Sequence, residues 1–313
     1  MPAGRKTHVL ITGWSSDSDV DESPAAHLVA SATRWPWNIT SEQRPGCHVI
    51  VTARNKAVLA SMSELGMSPL QLDVTDPASI AACEAEVAGI TDGKLDILVN
   101  NAGRTHTIPA LDMDLDDVRA TYEANVFGPM LMCQAFARLL IAARGLIINI
   151  SSISSVVPYL FGAIYSSTKG AINVYSRALR MELRPFGVRV MVAMTGTVKS
   201  NIASHFDRVL PPTSLYRPVD DLFQKRLTFS QNNATMATDV YARKLVTASL
   251  RGDGWLGGRV GGTPDWFWAG GMALVVWTST LMPAWLSERL AAIFFNMARM
   301  GRRLRDAARA KKD

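Results

Sequence analysis

Six short apolar runs, separated by longer stretches with helical spacing, constrain this chain more than any other feature. The runs occupy residues 8–12, 48–53, 70–73, 97–100, 146–151 and 188–194. They are rich in Val, Ile and Leu with little polar alternation, the pattern of parallel strands covered on both faces. Between them, residues 57–65, 77–88 and 115–143 repeat apolar side chains three and four apart. Strand–helix alternation of this kind builds right-handed βαβ units, so the expected class is α/β with a doubly wound parallel sheet. Ligands in such sheets bind at the carboxyl ends of the strands, where the strand order reverses. The sequence divides into one domain over residues 1–262 and a hydrophobic, then basic, tail over 263–313.

Composition narrows the class further. With 48% hydrophobic and 19% charged residues over 313 positions, the chain can bury a large core and is not disordered. Cys47, Cys83 and Cys133 share no close spacing, which argues against a disulfide framework and a cysteine-based zinc site. No metal site is expected, and the thiols read as reduced. The start shows no apolar segment of signal-peptide type, so a cytosol-facing chain is expected. Net charge is +6, yet residues 286–313 alone carry eight Lys/Arg against three Asp/Glu. The body is therefore nearly neutral, and a basic tail points to a membrane surface or solvent rather than nucleic acid.

Tyr165 and Lys169 stand four apart at the start of a helical pattern, which places both on one helix face. A free tyrosine has a pKa of about 10, and a neighbouring ammonium favours its phenolate. Ser152 follows the strand at 146–151, thirteen residues before Tyr165, and its hydroxyl can polarise a carbonyl while Tyr165 gives up a proton. Asn100-Asn101-Ala102-Gly103 follows the fourth strand, and Asn125 sits in the next helix.

Over residues 7–200 this set of motifs resembles the short-chain dehydrogenase/reductase family, with its Rossmann-type fold. The resemblance implies a catalytic tetrad of Asn125, Ser152, Tyr165 and Lys169. Tyr165 would be the general acid, Lys169 would lower its pKa and hold the cofactor ribose, and Ser152 would orient the carbonyl. Asn125 would keep a water in the proton relay. Thr12 and Gly13 would open the phosphate loop, Asp73 would contact the adenine, and Asn101, Ala102 and Gly103 would line the loop beside it. Arg54, just past the second strand, would meet the 2′-phosphate of the adenosine ribose, which makes NADPH the expected cofactor.

Two departures from the family pattern stand out. The phosphate loop normally carries two later glycines, where this chain has Asp17 and Asp19, and residues 14–46 form an unusually long segment containing Trp35-Pro36-Trp37. A rearranged loop, a loss of cofactor binding and a faulty reading frame are all compatible with it. After the sixth strand the chain reads Thr195-Gly196-Thr197-Val198-Lys199 where most members have Pro-Gly. That pattern resembles the fungal branch containing NADPH-dependent 1-acyldihydroxyacetone phosphate reductase, and by it Thr197 and Val198 would lie near the nicotinamide carboxamide.

Residues 266–287 run without a charge or histidine and contain Trp266, Trp268, Trp277 and Trp285. A basic segment follows, so the tail reads as a membrane-associating element, and the alternative is a cover for the substrate pocket or a dimer contact. The fungal branch implies the cytoplasmic face of the endoplasmic reticulum or a lipid droplet; with the tail packed on the domain, the location would be cytosolic. The expected activity is NADPH-dependent reduction of a ketone to a secondary alcohol. Three substrate readings remain: an acyl-dihydroxyacetone phosphate, another lipid-like ketone, or a ketone of specialised metabolism. A non-catalytic membrane-associated protein is the alternative from another class. Residues 199–235 read as the substrate loop, with Lys199, His205 and Arg208 as available cations. A homo-oligomer is compatible with the sequence.

Overall fold

The structure is a computed structural model, and it describes residues 6–13, 46–55, 59–198, 208–255 and 260–310. Seven parallel strands form one sheet in the order β3-β2-β1-β4-β5-β6-β7. They are β1 (Thr7–Ile11), β2 (Cys47–Ala53), β3 (Ser68–Gln71), β4 (Ile97–Asn100), β5 (Leu146–Ser152), β6 (Arg189–Thr195) and β7 (Trp266–Ala269). The order reverses between β1 and β4, so the crevice at their carboxyl ends is the place for a ligand. The third strand lies two residues earlier than its apolar run implies, because Asp73 turns the chain toward the next helix: its Oδ1 accepts from the Thr75 amide at 2.9 Å.

The described helices are α1 (Ala60–Glu64), α2 (Pro77–Thr91), α3 (Leu115–Tyr122), α4 (Gly128–Ala135), α5 (Ala137–Ala143), α6 (Ala163–Leu183), α7 (Asp220–Leu227), α8 (Phe229–Asn232), α9 (Thr238–Ser249), α10 (Ala273–Ser279), α11 (Ala284–Phe294) and α12 (Met297–Arg309). Their starts are locally encoded. Asp76 caps α2 through the Ala78 amide with Pro77 in the first turn, and Asp114 caps α3 through the amides of Asp116 and Asp117.

Successive strand residues feed opposite faces of the sheet. On one face Val9, Ile11, Val99 and Ile148 pack with Tyr241 and Leu245 of α9. On the other, Leu10, Leu98 and Ile147 pack with Cys83 and Val87 of α2 and with Met132, Phe136 and Leu140. A third cluster gathers Phe161, Leu210, Val219 and Phe223 around Met300 of α12.

The C-terminal fifty residues differ from the expected tail. Residues 266–287 are not one apolar span: Trp266–Ala269 pairs in parallel with β6 as the seventh strand, and the rest divides between α10 and the start of α11. The sheet thus draws its last strand from beyond residue 262. Among the described residues no single helix is long and apolar enough to cross a membrane. A bent pair at 115–143 passes that test only by length and composition, and it supplies buried core residues. Part of the presumed substrate loop is helical, as α7 and α8; the Asp17/Asp19 loop, most of the 14–46 segment, Lys199 and His205 lie outside the described residues.

Candidate active site

The carboxyl ends of β1 and β4 are tied together by their own side chains. Thr12 Oγ1 accepts from the amides of Asn101 and Ala102, each at 3.0 Å, and Asn101 Nδ2 donates to the Thr12 carbonyl at 2.7 Å and the Gly13 carbonyl at 3.1 Å. Gly13 has φ +78°, and a Cβ there would stand 2.6 Å from the Ala102 Cα. Only glycine fits this bend.

Gly103 leads directly to the next group. A Cβ on it would lie 2.8 Å from Asn125 Oδ1 and 3.7 Å from Lys169 Nζ, so these two side chains flank one residue of the loop after β4. Asn125 is buried in a π-helical turn, Glu123–Phe127, between α3 and α4. Its Oδ1 accepts from the Arg104 amide at 2.7 Å, and its Nδ2 donates to the Arg104 carbonyl at 2.8 Å and Thr168 Oγ1 at 3.1 Å. Single π turns inside helices are frequent at functional sites.

Helix α6 carries Tyr165 and Lys169, and a buried polar ladder fixes it to the sheet. Asn100 Nδ2 donates to Asn149 Oδ1, Asn149 Nδ2 to Ser176 Oγ, and Ser176 Oγ to the Ile172 carbonyl, at 2.8, 2.8 and 2.6 Å. Lys169 Nζ donates to the Ile150 carbonyl at 3.0 Å and lies 5.8 Å from the centre of the Tyr165 ring. Burial pulls its pKa down to about 8. Burial also raises the Tyr165 hydroxyl; a hydrogen bond with Ser152 pulls the other way. Desolvation is the largest influence on both groups.

Ser152 Oγ accepts from the Ser154 amide at 3.2 Å and from Ser154 Oγ at 3.0 Å, which leaves its own proton to donate. Ser152 and Tyr165 line a cavity of about 520 Å³. Thr197 and Val198 line it as well, beside a tight crossing in which Thr197 and Gly271 exchange amide hydrogen bonds at 3.0 and 2.8 Å. Gly196 permits that crossing, since a Cβ there would run into the Gly271 carbonyl. The opposite wall is the chain's own C-terminal segment, with Val275 and Val276 of α10 and Leu290, Ile293 and Phe294 of α11.

The remaining expected residues sit apart. Arg54 is exposed beyond β2, and Asp73 is partly buried with Oδ1 engaged by Thr75. Arg208 is drawn to Asp117 Oδ2 at 2.8 Å, away from any role as a spare cation. Asp117 also meets Arg104 at 2.6 Å and His106 at 3.0 Å. Burial pushes its carboxyl up, but Arg208, Arg104 and His106 outweigh that and hold it below the ordinary aspartate range. Burial lowers the His106 pKa, and the two arginines add to the effect. His106, Asp117, Asn149 and Ser176 carry no local motif, so sequence reasoning passed over them; of the ladder only Asn100 stands in a recognised run.

Comparison with known proteins places the chain in a family. The family described as short chain dehydrogenase matches residues 43–209. The short-chain dehydrogenase srdE of Neurospora crassa is 35% identical over 271 residues, covering 86% of this chain and 90% of that protein. The NADPH-dependent 1-acyldihydroxyacetone phosphate reductase of Saccharomyces cerevisiae is 38% identical over 218 residues, covering 67% of this chain and 73% of its own. Among solved structures, a short-chain dehydrogenase from Streptomyces avermitilis superposes with a TM-score of 0.69 at 23% identity, covering 95% of this chain and 98% of the other. Motif, sheet order and relatives converge on one conclusion: this chain belongs to the short-chain dehydrogenase/reductase family of oxidoreductases.

Proposed function

We propose that this protein reduces a lipid-like ketone to a secondary alcohol with NADPH. The observation that carries the reading is that Ser152 and Tyr165 line the same cavity, whose far side is apolar. The residues at the ends of β1 and β4 fit a dinucleotide. Gly13 lets the loop after β1 pack directly on Ala102 of the loop after β4, Gly103 packs against Asn125, and the Lys169 ammonium flanks Gly103. Thr12, Gly13, Asp73, Asn101 and Ala102 would hold the cofactor, with Arg54 toward its adenosine end and Thr197 and Val198 toward the reacting end. NADPH supplies the hydride. NADPH dependence is also named for the Saccharomyces cerevisiae relative.

The chain's own residues then handle one proton. The Ser152 hydroxyl donates to the substrate carbonyl oxygen, and Tyr165 Oη delivers its proton to the alkoxide that develops there. An alkoxide is a stronger base than a phenolate, so a tyrosine kept neutral by burial still transfers downhill. Lys169 stabilises the phenolate left behind, and Asn125 orders the path by which it is reprotonated.

The substrate belongs to one of three classes, an acyl-dihydroxyacetone phosphate, another lipid-like ketone or a ketone of specialised metabolism, and the apolar roof that α10 and α11 place over the cavity favours a molecule with a hydrocarbon portion. The test is a titration of the full chain with NADPH and NADH, followed by a ketone screen on wild type and Tyr165→Phe. Saturable preference for NADPH, with turnover lost in Tyr165→Phe, supports the reading. A Tyr165→Phe variant that turns over at the wild-type rate would sink it, and a chain that binds neither nucleotide would be a retained fold without the activity.

The same reading extends to location at the cytosolic face of a membrane such as the endoplasmic reticulum or a lipid droplet. Leu281, Trp285 and Ile293 on the roof are 72, 62 and 74% exposed, and α12 beside them carries Arg299, Arg302, Arg305 and Arg309. Apolar side chains next to cations suit an anionic lipid surface. Flotation with vesicles containing phosphatidylserine tests this: the chain should rise with them at low salt, and staying at the bottom contradicts it.

A further inference from the structure

Arg226 of α7 is 5% exposed and lines the same cavity. Its guanidinium stacks 3.5 Å above the centre of the Tyr159 ring, and its Nε donates to the Leu160 carbonyl at 2.8 Å. Nη2 is buried without a hydrogen-bond partner. Among the described residues no carboxylate faces this charge; the group that acts on it is the Tyr159 hydroxyl. That hydroxyl sits 3.0 Å from Ser230 Oγ, and Ser230 also lines the cavity. A buried guanidinium without a counter-ion is costly, and an arginine fork matches carboxylate and phosphate oxygens.

We propose that Arg226, with Tyr159 and Ser230, forms an oxyanion subsite that recognises a phosphate or carboxylate on the substrate. The subsite and the Ser152–Tyr165 pair open on one cavity, so a single molecule spans both. Its hydrocarbon portion lies against Val275, Leu290 and Phe294. The substrate class that follows is an anionic, amphiphilic ketone. Naming it a ketone rests on the reductase reading; the subsite itself does not.

Binding of octyl phosphate, octanoate and octanol to the full chain, measured by calorimetry with and without NADPH, tests the proposal. At least one of the two anions should bind tenfold or more tighter than octanol. The stronger of them identifies the oxyanion, and Arg226→Gln should erase the preference. Equal binding of all three by wild type overturns the subsite, as does an Arg226→Gln chain that keeps the preference. Should Arg226→Gln fail to fold, Ser230→Ala carries the test: the preference should fall about threefold, and an unchanged ratio overturns the proposal. A chain that prefers octyl phosphate but reduces no ketone keeps the subsite and loses the activity. One that reduces neutral and anionic ketones alike keeps the activity and loses the subsite.

Discussion

Lys169 donates its ammonium to the carbonyl of Ile150 at 3.0 Å, two residues before Ser152 on the same strand. The bond anchors the lysine to the sheet rather than to the Tyr165 hydroxyl. It also holds the charged head, the group expected to hold the cofactor ribose, beside Gly103. Burial then sets the lysine near the pH of ordinary assays.

A pH dependence follows with a definite sign. Lys169 is charged below about 8 and loses its proton above it. The phenolate left by Tyr165 is stabilised only while that charge is present. Ketone reduction should therefore hold level between pH 6 and 7 and decline as pH rises through about 8. Lys169→Arg, whose guanidinium stays charged, should retain activity on the alkaline side. Profiles of kcat/KM from pH 6 to 10 check this, and a wild-type curve flat through pH 8 to 10 contradicts it.

The same lysine has a stability cost. Its folded pKa lies below the unfolded 10.5, so between about 8 and 10.5 the unfolded chain binds more protons and stability rises with pH. At neutral pH the charged, buried lysine costs the fold roughly 3 kcal/mol. Lys169→Met should thus be more stable than wild type at pH 7 and inactive, even after losing the bond to Ile150. The gap in Tm between the two should shrink as pH approaches 10. A Lys169→Met chain that melts lower at pH 7 would contradict the account.

Gly13 gives a sharper structural test. With φ at +78° and Ala102 in the way, Gly13→Ala strains the backbone and forces β1 from β4. The expected cost is about 1–3 kcal/mol of stability, together with loss of NADPH affinity by tenfold or more. Gly66, also at positive φ but with nothing near its missing Cβ, is the control. Gly66→Ala should leave NADPH binding unchanged, as fluorescence titration of both variants would show.

How far the sequence reveals this architecture depends on where each signal resides. Strands β1, β2, β4, β5 and β6 are legible because they are largely buried and their runs are mostly aliphatic, whereas β3, Ser68-Pro69-Leu70-Gln71, has one buried residue and lies two residues before its apolar run. Strand β7 is not legible, because Trp266, Phe267 and Trp268 are only partly buried at the sheet edge and merge with an apolar stretch that mimics a membrane segment. Tyr165 and Lys169 are legible because helical spacing alone joins them. The π turn at Asn125 hides inside a helical pattern that reads as continuous from 115 to 143. Arg226 and Tyr159 are invisible for a different reason: α7, α8 and the loop before α6 meet only in the fold.

The roof provides the last prediction. Removing residues 264–313 would delete β7 and so damage the sheet itself, whereas removing 283–313 takes away only α11 and α12. That shorter deletion removes Met300, uncovers Phe161, Leu210, Val219 and Phe223 and breaks the Arg303–Asp221 pair at 2.6 Å. It also opens the cavity wall formed by Leu290, Ile293 and Phe294. The truncated chain should keep NADPH binding, because the ends of β1 and β4 are untouched, while kcat/KM for a long-chain ketone falls by tenfold or more. Met300→Ala separates packing from access: it should cost about 2–4 kcal/mol of stability and leave the long-chain preference in place. If the 283–313 deletion reduces long- and short-chain ketones in the wild-type ratio, the roof does not select for chain length.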